Sequence, residues 1–305
     1  IDARVNQEVI KINPDKKTVE IRKLATGEVY EETYDKLALA PGAGAILPKT
    51  IKGIDGENVF VVKNVSDIHR LQSYLVGNDV RDVAVVGGGF IGLEVCENLI
   101  EAGRNVHLIE GTDQVMAPID MAQIVHKQLY DKGVDIKLDE KVVEIRSDRV
   151  LLESGRSVKA KAVVMAIGVA PETSLAKSCG IEIGKTGGIL VNHNYQTNYP
   201  DIYAVGDVVE VTNKLTGDKT KLALAGPAQR EARAAADHMF GKYHNNKGVI
   251  GSSCLHLFDL TIANTGLNEK MCKRYGINYD FAYTIPNDKV GLMPSPHPIF
   301  FKLIF

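Results

Sequence analysis

Residues 83–94 read Val-Ala-Val-Val-Gly-Gly-Gly-Phe-Ile-Gly-Leu-Glu, and no other stretch restricts the possible folds so strongly. Four apolar, mostly β-branched residues predict a buried strand. Gly87, Gly89 and Gly92 then stand in G-x-G-x-x-G spacing, and a helical pattern runs on through Ala102. Such a unit needs each glycine for a different reason. Gly87 lets the strand turn sharply into the helix. Gly89 has no side chain to hold a pyrophosphate away from the backbone. Gly92 lets the helix lie close to the strand. Phosphates would then sit at the helix N-terminus, where free N–H groups and the helix dipole favour negative charge. Gly-rich turns are common, so the spacing alone says little. The preceding strand, the following helix and a correctly spaced acid make dinucleotide binding the expectation.

That acid is Glu110. It closes the next strand, Asn105-Val106-His107-Leu108-Ile109, about twenty residues past the glycines, where a ribose-binding carboxylate is expected. It would accept hydrogen bonds from the adenosine ribose hydroxyls and repel a 2′-phosphate. Gly111 and Thr112 follow, with no Arg to neutralise that phosphate, so NAD(H) is expected over NADP(H). The plainer alternative is a solvated strand end.

The rest of the chain shows one pattern twice. Val9–Asn13 and Thr18–Arg22 alternate as strands about Pro14-Asp15, with a further turn at Gly27. Tyr34 to Ala43 reads as a buried strand ending in the small residues Ala40, Pro41 and Gly42. Pro48 to Asn58 reads as a linker, and Ser66 as the cap of a helix through Tyr74 with Ile68, Leu71 and Leu75 on one face. Later, a helix at 120–132 stops at Gly133 and a strand at 134–138 follows. Lys141–Lys159 is again a meander, and Ala162–Ile167 again a buried strand, ending at Gly168. Two related nucleotide-binding domains follow from this repeat. Only one glycine fingerprint is present, the chain opens on Ile1, and Phe300–Phe305 is a strand-like run with no partner apparent in sequence. A piece of a longer protein is therefore expected.

The 305 residues suit two domains or a few small ones. A formal net charge of −2 and the absence of a Lys/Arg run argue against nucleic acid as a partner. No apolar stretch reaches membrane-spanning length. Cys96, Cys179, Cys254 and Cys272 form no C-x-x-C and no zinc spacing, so reduced structural thiols, no metal site and a cytoplasmic protein are expected.

Read together, the motifs resemble the pyridine nucleotide–disulfide oxidoreductases, within them most closely the CoA-disulfide reductase, NADH oxidase and NADH peroxidase branch. Those motifs are Tyr34 to Ala43, Val85 to Glu94, Ala166 to Glu172, Thr197 to Asp207, Leu224 to Ala228 and Phe258 to Leu267. The resemblance implies an α/β fold of two Rossmann-like three-layer domains. Residues 1–78 and 196–246 would form a discontinuous, incomplete FAD domain, 79–195 the NAD domain, and 247–305 the start of an α+β dimerisation domain. It implies FAD beside NAD(H), a small-molecule disulfide, peroxide or oxygen as acceptor, and a homodimer.

The candidate cofactor-binding residues are Gly87, Gly88, Gly89, Phe90, Ile91, Gly92, Glu94, Glu110 and Gly168, with Ala40, Pro41, Gly42, Asp207, Leu224 and Ala225. By resemblance, Asp207 would hold a ribityl hydroxyl, Phe90 would cover the flavin, and Glu94 would orient the nicotinamide carboxamide. A solvated turn and a helix-dipole acid are the plainer readings of Asp207 and Glu94. The helix at 223–240 would aim its N-terminus at the flavin, or is close-packed through its alanines. The family's reactive cysteine belongs to a segment before Ile1, and no cysteine here has its context, so no catalytic residue is assigned. A ferredoxin- or rubredoxin-type NADH reductase and an NAD-binding fragment without activity of its own are the alternatives.

Overall fold

The computed structural model describes residues 1–116, 119–242 and 248–305. Its helices among these residues are α1 (Val65–Gly77), α2 (Phe90–Glu101), α3 (Ile119–Asp131), α4 (Ser174–Ser178), α5 (Ala225–Met239) and α6 (Glu269–Tyr275). The chain divides into two compact units. Ile1–Gly44 joins Val169–Gly251 in the first, and Ala45–Gly168 joins Ser252–Phe305 in the second.

The second unit is built on a five-stranded parallel sheet in the order Val59–Phe60, Ala162–Met165, Asp82–Val86, Asn105–Ile109, Asp135–Lys137. Strands covered on both faces must be apolar along their whole length, and Val83 to Val86 is. Side chains alternate across the sheet. Val83, Val85, Leu108 and Val164 pack toward Leu71 and Leu75 of α1, Leu93 and Cys96 of α2 and Leu129 of α3. Ala84, Val86, Ile109, Val163 and Met165 pack toward Val142, Val150, Leu152 and Val158. The latter belong to the antiparallel meander Val142–Ile145, Arg149–Leu152, Ser157–Lys159. Helices, parallel sheet and meander thus form three layers.

The first unit repeats that logic around a parallel pair, Leu37–Leu39 with Ile202–Ala204. Ile202 and Ala204 pack with Ile12, Val19 and Ile21 of the meander Gln7–Asn13, Thr18–Lys23, Val29–Thr33. Tyr203 and Val205 pack against Ala234 and Ala235 of α5. The α/β class and three-layer architecture expected from the sequence are what the structure has.

Several local expectations differ. The two compact units meet along the chain at 44/45 and 168/169, whereas the domain limits expected from the resemblance are 78/79 and 195/196. The short strand Val59–Phe60 pairs with Ala162–Met165 and carries α1 with it, while α4 packs on the strand Gln7–Asn13. The boundary placed at 246/247 lies outside the described residues. Segment 48–58 is pinned rather than a free linker: Lys52 bridges Glu144, and a Cβ on Gly53 would meet the Ile145 carbonyl oxygen. The strand within 34–43 is only Leu37–Leu39 and is half-buried, with Ala38 exposed.

Phe301–Ile304 does have a partner, the strand Phe281–Thr284, which pairs with it antiparallel. The remainder of this segment begins with a hairpin, Ser253–Leu257 and Leu260–Asn264, whose Leu255, Leu257 and Phe258 enter the core of α2. Glu97 of α2 accepts from the Phe258 N–H at 2.7 Å.

Helix α1 is capped not by Ser66 but by Asn64. Its side chain accepts from the Asp67 N–H at 3.0 Å, and Asp67 returns a bond to the Asn64 N–H at 3.1 Å. Two otherwise orphaned donors are satisfied reciprocally. Asn64→Ala is expected to lower the stability of this unit by about 1 kcal/mol. Urea titration of the variant against the parent chain measures it; an unchanged midpoint would contradict the capping assignment.

Candidate functional site

The glycine turn sits where the strand Asp82–Val86 ends and α2 begins. Gly87 has φ +108°, a conformation that L side chains rarely adopt, and a Cβ there would lie 2.5 Å from the Ala166 carbonyl oxygen. A Cβ on Gly92 would lie 1.9 Å from the Gly87 carbonyl oxygen, so the helix touches the strand end through backbone alone. Gly89 is the opposite case. It is the N-cap of α2, no side chain caps the helix there, and a Cβ would meet nothing within 4 Å. Two glycines are needed for packing, and the third opens space beside uncapped helical N–H groups. A diphosphate fits that cradle.

Glu110 closes the far side. Its Oε2 accepts from the Gly88 N–H at 2.6 Å, and its Oε1 accepts from the N–H and hydroxyl of Thr112, both at 2.9 Å. The carboxylate is therefore part of the turn itself, held one strand over and half-buried. Sequence reasoning missed two participants. Val115 lies so close that a Cβ on Gly88 would sit 2.8 Å from its Cγ1, and Thr112 fixes the Glu110 rotamer. His126 of α3 accepts from the Val115 N–H at 3.2 Å through Nε2, and burial lowers its pKa, which keeps that nitrogen an acceptor. Phe90 and Ile91 are half-buried in the first turn of α2, and Glu94 is exposed one turn on. Gly168 ends the neighbouring strand segment with φ +121°, its carbonyl accepting from the Ile46 N–H at 3.0 Å.

In the first unit a second cluster forms at the C-terminal ends of the parallel pair. The Val205 N–H donates to the Leu39 carbonyl at 3.0 Å, which sets Ala40-Pro41-Gly42 beside Gly206-Asp207. Ligands of open α/β sheets bind at such edges. Gly42 has φ +74° with nothing within 4 Å of a Cβ, and Asp207 is half-buried in a single 3₁₀ turn, Gly206–Val208. Helix α5 packs on that turn and starts after Leu224 with no side-chain cap; Pro227 stands in its first turn. Open space beside Gly42, a carboxylate and helical N–H groups without a side-chain cap fit a polar ligand group. The residue not foreseen here is Glu231 of α5, buried, with Oε2 accepting from the Gly206 N–H at 2.7 Å.

The thiols take no part in either cluster. Cys96 is buried in the helix–sheet core, and burial pushes its thiol up to about 12. Burial also raises Cys179. Among the described residues there is no group of three side chains that could hold a metal, and no helix long and apolar enough to cross a membrane. A cavity of about 380 Å³ in the first unit, lined by Asn192, His193, Lys214 and Lys219 among others, contains none of the sequence-predicted residues.

A family profile described as pyridine nucleotide-disulphide oxidoreductase matches residues 1–232. The chain is 29% identical to a coenzyme A disulfide reductase of Staphylococcus aureus, covering 100% of itself and 69% of that protein. It is 30% identical to an NADH oxidase of Enterococcus faecalis, covering 99% of itself and 69% of the relative. The crystal structure of reduced Bacillus anthracis CoADR-RHD superposes with a TM-score of 0.97 at 42% identity, covering 100% of this chain and 56% of that one. The chain thus spans just over half of that structure and about two thirds of the curated relatives.

Proposed function

Because the chain belongs to the pyridine nucleotide–disulphide oxidoreductase family, we propose that it is the nucleotide-binding portion of an FAD-dependent oxidoreductase. That enzyme would take hydride from NADH and reduce a disulfide, a peroxide or oxygen through a cysteine outside these residues. The observation that carries this reading is the contrast within the glycine turn: Gly87 and Gly92 are filled by backbone, whereas Gly89 faces open space beside uncapped N–H groups. The NAD(H) contacts would be Gly87 to Gly92, Glu94, Glu110 and Gly168. The FAD contacts would be Ala40 to Gly42, Asp207, Leu224 and Ala225. A bound flavin would supply the hydride acceptance that no side chain offers, while the protein orients and shields the reactants.

Residues of this chain would do three things. The start of α2 would hold the dinucleotide pyrophosphate on its N–H groups. Glu110 would fix the adenosine ribose and disfavour a 2′-phosphate. The start of α5 would place the positive end of a helix dipole beside the flavin, worth about 0.3–2 kcal/mol to a nearby negative charge. Relatives named for coenzyme A disulfide and for NADH oxidation support the acceptor classes. A cytoplasmic homodimer whose C-terminal domain starts near residue 247 completes the proposal.

Anaerobic NADH should bleach the flavin absorbance near roughly 450 nm in the full-length protein, the protein supplying only orientation. A colourless protein that binds NADH would support the fragment-like alternative. A yellow protein that passes electrons only to a small iron–sulfur protein would support the ferredoxin-reductase alternative.

A further inference from the structure

Glu231 is a buried acid for which the proposed function has no use. It lies in the second turn of α5, on the face formed by Pro227, Glu231, Ala234 and Ala235, and is 3% exposed. Its Oε2 takes the Gly206 N–H at 2.7 Å. Gly206 is held at φ +80°, and the next residue is Asp207. Burying a carboxylate is costly unless it has work to do as an acceptor, and a Gln would fill the same space without charge.

Resting on the FAD reading above, we infer that Glu231 is a positioning residue: it anchors the Gly206–Asp207 turn from behind, and its charge state sets how tightly that turn holds a flavin. Burial is the main influence on its ionisation and favours the neutral form. Asp207 acts in the same sense, while the Gly206 N–H and Arg230 oppose it. The strand Val169–Pro171, which also packs on the turn, carries no titratable side chain. The next titratable group along this side of α5 is His238, bonded to Tyr203 at 2.9 Å.

The sign follows. A carboxyl whose folded pKa is raised stabilises the fold relative to an unperturbed acid at low pH, and that advantage is lost as pH rises from the unfolded value through the folded one. A negatively charged cofactor arriving at the turn, and the water it displaces, push in the same direction. Flavin binding then takes up part of a proton, and affinity falls with rising pH over the same window.

The test uses the full-length protein with its flavin, comparing it with Glu231→Gln and Glu231→Leu. Gln keeps an acceptor for Gly206 without the charge; Leu removes the acceptor. Flavin release, followed by fluorescence from pH 5 to pH 8, should rise in the parent by about tenfold for each unit of pKa difference between the free and bound states. In Glu231→Gln it should be flat at the tight, acid-side level, and in Glu231→Leu weak throughout. Thermal unfolding supplies a second readout, with Glu231→Gln gaining on the parent progressively as pH rises. His238 is intact in both variants, so a slope that disappears belongs to Glu231. A parent and a Gln variant with the same pH slope, or a Leu variant that holds flavin like the parent, would overturn the inference. A parent that holds no flavin at any pH would instead defeat the FAD reading.

Discussion

Gly89→Ala should fold like the parent and lose its nucleotide, whereas Gly92→Ala should markedly destabilise its second unit. The two positions belong to one motif, three residues apart, yet the structure surrounds them differently. A methyl on Gly89 meets nothing within 4 Å. It adds no clash, and at a helix N-cap a change between Gly and Ala is worth at most about 1 kcal/mol. The same methyl occupies the space a diphosphate needs beside the N–H groups of α2. Loss of one charge-assisted hydrogen bond, at roughly 1.5–3 kcal/mol, lowers NADH affinity by roughly 10- to 150-fold. At Gly92 the methyl lands 1.9 Å from the Gly87 carbonyl oxygen, and Ala166 Cβ lies 3.5 Å away. Neither neighbour is a flexible side-chain end. Helix α2 must lift off the sheet, uncovering Leu93 and Cys96, both fully buried. Overpacking of this kind costs about 1–3 kcal/mol, and more where backbone must move. Circular dichroism during urea unfolding and NADH titration by fluorescence separate the two effects. Equal stability loss at both positions, or unchanged NADH binding in Gly89→Ala, would mean that the turn is structural only.

The same contrast shows what was readable before any coordinates. The glycine turn was legible because its spacing has a local cause: strand, bend and helix are contiguous, and φ +108° at Gly87 needs no distant residue to explain it. The two meanders were legible by alternation, and they became an outer layer of each unit, while the strands that follow them joined the parallel sheets. Contacts made by a returning chain were not legible. Val115 reaches Gly88 only because the loop after Glu110 folds back, and Thr112 is a surface-type residue in any composition count. The strand Val59–Phe60 was not legible because two residues carry almost no periodic signal. Phe301–Ile304 read as unpaired because no turn signal adjoins it and its partner, Phe281–Thr284, is reached across an irregular loop. Glu231 did have a signal. Pro227, Glu231, Ala234 and Ala235 recur at helical spacing, so an acid stood on the face destined for the core.

Glu110→Ala should be the most damaging single substitution for nucleotide choice, and Glu110→Gln should be scarcely better. Both carboxylate oxygens are already committed, one to the Gly88 N–H and the other to Thr112. The Gly88 and Thr112 N–H groups can only donate, one to each oxygen. A Gln presents one oxygen and one NH₂, so whichever way it turns, a donor meets a donor. Alanine leaves the Gly88 and Thr112 groups to water and frees the turn. The ribose hydroxyls then lose a charged acceptor, at about 1.5–3 kcal/mol, which is roughly 10- to 150-fold in NADH affinity. NADPH should move the other way, because the charge that repelled its 2′-phosphate is gone. Added salt should narrow the parent's preference for NADH, since part of it is like-charge repulsion at a half-exposed site. Parallel titrations of the parent and both variants with NADH and NADPH, at low and high ionic strength, measure all of this. If the parent binds NADPH as tightly as NADH, or Glu110→Ala keeps the parent's NADH affinity, the carboxylate braces the glycine turn and reads no sugar.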